Sequence, residues 1–179
     1  MTLAPTLGTI EALYRKLERE AYRAWHSKDR LHKADHFFNF CVTAHSMRDY
    51  FFERKGIITK SARDPYHQLW NQTPALVAAA DVANTTKHFA LRFPNGKPRI
   101  AATRGVRTGT TQVVDIFTSS QGLHEKVRTA PDVLVVLSDG ARLSMWEFMD
   151  RVEKYWRQYL AGEGIRIKRQ PFRHMAGSS

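Results

Sequence analysis

The sequence has a single cysteine, Cys41. One thiol cannot close an internal disulfide, and the cysteine pairs on which zinc clusters are built are missing. Cys41 sits in the apolar run Phe37-Phe38-Asn39-Phe40-Cys41-Val42 and reads as a core residue. No apolar stretch approaches the about 20 residues that cross a bilayer as a helix. Residues 1–8 lack the basic start and apolar run of a secretory leader. These absences predict a cytoplasmic protein with no membrane partner.

Several chemistries also lose their support. The segment Gly105-Val106-Arg107-Thr108-Gly109 lacks the Gly-Lys-Ser/Thr ending of a nucleotide-binding P-loop. There is no Gly-x-Ser-x-Gly elbow, so nothing points to a serine hydrolase. His32 and His36 lie one helical turn apart, but no Glu follows His32, and a lone pair on an exposed helix face is ordinary surface. No metal and no cofactor are expected.

Acid is the remaining shortage. Against 28 Lys and Arg stand 17 Asp and Glu, for a formal charge of +11. Such an excess favours a polyanion such as RNA, although it also keeps a protein soluble by self-repulsion. What the chain does have suits a globular fold: 179 residues, 42% apolar and 11% aromatic.

Helical periodicity dominates the first half. Ile10, Leu13, Leu17, Ala21 and Ala24 repeat at helical spacing after a capping Thr9, predicting a helix over 9–27. A long helix follows from Asp29 to about Arg54, stopped at Gly56. Asp64-Pro65 and Thr73-Pro74 each read as a cap followed by a first helical residue, the latter opening a helix to about Leu91. After Pro94-Asn95-Gly96 the pattern changes. Residues 99–103 and 112–117 read as strands flanking a turn-rich 104–111. Residues 132–137 and 141–143 flank Asp139-Gly140, a hairpin signal. Ser144-Met145-Trp146-Glu147 has capping-box spacing, and the helix it opens should end at Gly162. Trp146 and Trp156 fall in its apolar stripe. The expected fold is therefore α+β: an antiparallel helical bundle over 1–93, a small antiparallel sheet and closing helix over 94–165 packed on it as one unit, and a basic tail over 166–179.

The candidate chemistry centres on residues 81–88. Asp81, Asn84 and His88 are spaced by three and four and share one helix face, with Lys87 beside them. His45, Arg48 and Asp49 on the long second helix are the expected partners. A His near a carboxylate, a carboxamide and an Arg can serve as general acid or base beside a charge stabiliser. The same residues can equally form a hydrogen-bonded network that fixes helix register. Arg104 and Arg107, with Arg166, Lys168, Arg169 and Arg173 of the tail, are candidate phosphate contacts.

Residues 81–88, together with Ala34-Asp35-His36-Phe37-Phe38-Asn39-Phe40 through Asp49-Tyr50, resemble uncharacterised bacterial and prophage proteins with a HEPN-type helical bundle. The resemblance covers about 9–91. It implies antiparallel helices that often associate as a homodimer, and in many members a metal-independent ribonuclease of phage-defence or toxin–antitoxin systems. The usual motif of that superfamily is an Arg followed four to six residues later by a His; here Arg30 and His36 have that interval, whereas Lys87 precedes His88 directly. By this resemblance His88 would act as acid or base, Asn84 and Lys87 would orient or neutralise a phosphate, and Arg48 would lend a second positive charge. The alternative is a non-catalytic interaction or assembly module in which the 81–88 network is structural.

Overall fold

The computed structural model describes residues 5–85 and 103–168. Five helices and a three-stranded antiparallel sheet make an α+β fold, with the helices first and one helix closing the chain.

Helix α1 (Ile10–His26) starts at Thr9, whose Oγ1 accepts the Ala12 N–H at 3.1 Å. Helix α2 (Arg30–Lys55) starts at Asp29, whose carboxylate accepts the N–H groups of Leu31 and His32. It ends at Gly56, where φ is +67° and a side chain would be strained. The joint between the two helices is tied by the buried Lys33. Its Nζ donates to the carbonyls of Ala24 and Trp25 at 2.8 and 3.0 Å, satisfying C-terminal acceptors that α1 cannot pair itself.

Helix α3 (Lys60–Asn71) differs from expectation. It begins not at Asp64-Pro65 but a turn earlier, capped by Thr59, with Pro65 inside it. The missing Pro65 N–H would have bonded the carbonyl of Ser61, which is exposed and can turn to water instead. Lys60 pairs with Asp64 at 3.1 Å, and Arg63 Nε donates to the Ile57 carbonyl, which holds this first turn. Helix α4 (Pro74–Thr85) begins as expected, and the predicted extension to Leu91 lies outside the described residues. Its alanines Ala75, Ala78, Ala79 and Ala83 are buried.

Helix α5 (Met145–Gly162) closes the body. Its Trp156 is fully buried and meets Trp70 at 5.5 Å between rings, while Phe51 meets Trp70 edge-on at 5.7 Å. With Phe52, Tyr66 and Tyr159 these rings form one aromatic cluster joining α2, α3 and α5. Trp146, by contrast, is only half-buried and tilts against Trp25. Cys41 is a core residue, and burial pushes its thiol pKa well above the ordinary value.

The sheet departs most from the sequence reading. Strand β1 (Thr103–Ser119) is continuous through the segment expected to turn, and strand β2 (Gly122–Leu137) begins ten residues before Asp132. Gly105 and Gly109 do not take positive φ, and Val106, Thr108, Thr110 and Thr111 between and after them favour extended backbone. Pairing with β2 then settles the matter: apart from a bulge between Thr103 and Gly105, the register runs unbroken from Gly105–Val136 to Ser119–Gly122. Pro131 is tolerated within β2 because the short third strand β3 (Arg142–Ser144) covers only 134–136, leaving Pro131 without a partner on that side. The β2–β3 turn is the expected one. Asp139 Oδ1 accepts the Ala141 N–H at 2.9 Å, and Gly140 has φ of +87°.

The result is a helical body from which β1 and β2 extend as a two-stranded arm. Thr103–Thr108 and Val133 lie beside Ala34, Phe37 and Phe38 of α2, and Arg30 near the start of α2 donates to Thr108 Oγ1 at 3.0 Å. The arm therefore runs along α2 toward its N-terminus. Beyond Gly109 it carries on for roughly 36 Å at about 3.3 Å per residue.

Two tests follow from this packing. Ser144 accepts the Glu147 N–H at 3.2 Å while Glu147 Oε2 accepts the Ser144 N–H at 2.9 Å, a complete capping box at the sheet–helix junction. Ser144→Ala should cost about 1 kcal/mol in urea unfolding. His67 packs edge-on against Phe52 and Trp70, and its pKa is lowered below 6.5, first by burial and then by Arg48, against smaller opposing effects of Asp64 and Asp49 and a further lowering by Arg63. The unfolded chain thus binds this proton more readily than the folded one. Stability should fall as pH drops below about 6.5, and His67→Gln should flatten that part of a melting-temperature profile.

Candidate functional site

The sequence-derived candidates occupy different parts of the molecule. Asp81 and Asn84 lie on α4, His45 and Arg48 on α2. Lys87 and His88 lie outside the described residues, as do Arg169 and Arg173 of the tail.

Asp81 is 1% exposed. Its position on α4 follows from the small, apolar helix face around it, which packs against α2 and admits few polar groups. Its Oδ2 accepts the N–H of Thr103, the first residue of β1, at 3.2 Å. Thr103 Oγ1 also donates to the Ala78 carbonyl at 3.4 Å. The carboxylate therefore pins the root of the arm to α4. A buried carboxylate held in this way is a joint, which is the structural of the two roles the sequence left open.

Arg48 is likewise buried. Its Nη1 donates to Asn71 Oδ1 at 3.4 Å, and its guanidinium lies 5.5 Å from the centre of the Trp70 ring. Stacked on an aromatic face, the cation ties α2 to the end of α3. His45 and Asn84 are half-buried on their helices.

The cationic candidates separate into two groups. Arg104 and Arg107 are exposed at the root of the arm, beside the N-terminal part of α2. Arg166 and Lys168 are exposed just after Glu163, which forms an ion pair of 2.7 Å with Lys55 at the other end of α2. A helix of 26 residues spans roughly 39 Å, so these groups sit at opposite ends of the body.

His36 of the His32–His36 pair is bound through Nδ1 to Glu20 Oε2 at 3.0 Å, and Glu20 also pairs with Arg23. Among the described residues no group of three or more His, Cys, Asp or Glu could hold a metal ion. Likewise, no described helix is long and apolar enough to cross a membrane.

A cavity of about 380 Å³ opens at the root of the arm, lined by Ala34, Phe37, Phe38, Val82, Val106 and Val133, with Asp81 and Arg104 at its polar margin. Thr85 and Thr103, which flank residues 86–102, both line it, so it carries no ligand assignment.

The feature that the sequence reading missed is the far half of the arm. Antiparallel partners share a face, so the register divides the arm into two sides. One carries Val113, Asp115, Phe117, His124, Lys126 and Arg128. Here Arg128 Nε donates to Asp115 Oδ2 at 2.6 Å, holding that carboxyl below its ordinary pKa, and Phe117 stacks on His124 at 5.4 Å. The other carries the pair Val114–Val127, then Ile116 and Leu123, all exposed. This is the same side that, nearer the body, buries Val133 and Val135. The alternation of Val114 and Ile116 was the available signal; without the partner strand it could not be extended past 117.

No family model, characterised protein or solved structure matches this chain.

Asp81→Ala should destabilise the protein by about 1–3 kcal/mol, because the buried Thr103 N–H loses its acceptor. Amide exchange at Thr103 and its neighbours should accelerate with it. Asp81→Asn, which keeps an acceptor oxygen, should recover most of the loss.

Proposed function

We propose that this chain is a non-catalytic interaction module: a helical body that presents a two-stranded arm to a binding partner. The observation that carries this reading is the exposed apolar side of the far arm, Val114, Ile116, Leu123 and Val127, continuous with the side buried at the root. A two-stranded ribbon is marginal by itself in water, and contiguous exposed apolar side chains mark interaction surfaces. The use of Asp81 at the root of β1 and of Arg48 against Trp70 supports a structural role for the polar network.

A second reading is favoured by charge. The excess of +11, with Arg104, Arg107, Arg166 and Lys168 exposed, suits RNA or another polyanion. Its catalytic version is the HEPN-like one, a metal-independent ribonuclease of a phage-defence or toxin–antitoxin system, with His88 as acid or base, Asn84 and Lys87 at the phosphate, and His45 and Arg48 in support. In that version Asp81 would need to serve the site as well as the arm.

Purified protein incubated with end-labelled RNA, with and without chelator, separates the two. The module reading expects intact RNA in every lane. Cleavage that resists chelator and disappears in His88→Ala would overturn it in favour of the ribonuclease. A gel shift without cleavage, weakening steeply with salt, would add polyanion binding to the module.

A further inference from the structure

The apolar side of the arm has a definable occupant, and covalent reach narrows it first. Residues 86–102 leave α4 at Thr85 and return at Thr103, both at the root. A loop of that length can travel out and back by roughly 30 Å at most. Ile116 lies about 43 Å along the strand from Thr103, and Leu123, opposite Thr118, about 50 Å. Residues 169–179 start beyond Glu163, at the C-terminal end of α2, while the arm projects past the N-terminal end. Eleven residues span about 39 Å when fully extended, which covers the length of α2 but not the arm beyond it. Residues 1–4 precede α1, which packs antiparallel to α2 through a short joint and so starts at that same far end. None of these segments can cover Ile116 and Leu123, so the occupant is another molecule.

Chemistry narrows it further. From Thr110–Pro131 to Thr118–Leu123 this side holds no Lys or Arg; Glu125, opposite Ile116, is its one charge. A polyanion finds no cation there. The cations of the far arm, Lys126 and Arg128, face the other way, and Arg128 is already paired with Asp115. What the surface matches is a second flat apolar ribbon, packed sheet on sheet about 10 Å away. Its own copy is such a ribbon, and a two-fold axis lets one patch complement itself. Five rungs of two side chains each offer an area on the order of the ~800 Å² per partner found in stable interfaces. The arm also keeps two bodies of +11 apart, farther than the Debye length of about 8 Å over which their repulsion is felt.

We propose that two copies of this chain associate through the Val114–Ile116–Leu123–Val127 side of their arms, packed face to face across a two-fold axis. The proposal rests on the interaction-module reading and names its partner. It is distinct from an association of the helices, which would leave the arm uncovered.

The test is sedimentation equilibrium of the full chain, freed of nucleic acid and run at low and high salt. The expected result is a dimer of micromolar or tighter affinity that persists at high salt. Ile116→Ser with Leu123→Ser, both at exposed positions, should weaken it by ~10-fold or more while circular dichroism and thermal unfolding at matched monomer populations stay as in the parent. Lys126→Ala, on the opposite side, should leave the dimer intact. A monomeric parent chain, a dimer lost at high salt, or a dimer indifferent to the Ile116 and Leu123 changes would each overturn the proposal. Failure here with RNA left intact removes only the second copy as partner. Cleavage of RNA dependent on His88 removes the module reading itself, whatever the sedimentation shows.

Discussion

Pairing of β1 with β2 is the constraint from which the rest of the sheet follows. Once Gly105 lies opposite Val136, every later residue has its side assigned, because side chains alternate strictly along extended backbone. A slip of one residue would turn Val133 and Val135 out of the core and bring Leu134 and Val136 in. The core thus fixes the register at the root, and the register is carried outward to the tip. That is why Val114, Ile116, Leu123 and Val127 gather on one side while Asp115, Lys126 and Arg128 gather on the other.

The root has to be held for this to work, and three buried polar groups hold it. Asp81 receives the first N–H of β1. Lys33 closes the α1–α2 joint beside the sheet. Asp132, buried in β2, accepts the Val133 N–H at 2.8 Å. Burial raises the Asp132 pKa and lowers that of Lys33, while each opposes the shift in the other. All three sit where helices meet strands, the places where backbone groups would otherwise go unpaired. Charge is here used to position elements, and the aromatic cluster around Trp70 and Trp156 supplies the bulk of the packing.

Such a division of labour changes how the polar cluster of 81–88 is understood. Residues at helical spacing share a face whether they serve a substrate or a joint, and the sequence is the same in both cases. Asp81 illustrates the point. Its carboxylate looks like part of a catalytic set until Thr103, 22 residues away, is seen to occupy it. Arg48 does the same with Asn71 and Trp70. In neither case does spacing along the chain reveal the partner, which lies on another element.

By itself the sequence determined the local elements whose signals are local: α1 from Thr9, α2 from Asp29 to Gly56, the Asp139-Gly140 hairpin and the Ser144 capping box, each a backbone preference satisfied within a few residues. It also determined the α+β class, the single core cysteine and the cationic excess. The tertiary structure decided what depends on partners far along the chain. It ran β1 straight through Gly105 and Gly109, because two glycines that permit a turn do not require one and a paired strand offers more hydrogen bonds. It started β2 at Gly122, since 122–131 has no apolar alternation strong enough to announce a strand without β1 beside it. It let Pro65 ride inside α3, where the freed Ser61 carbonyl faces water. Finally, it set Arg104 and Arg107 apart from Arg166 and Lys168 by the length of α2, a distance that composition cannot express.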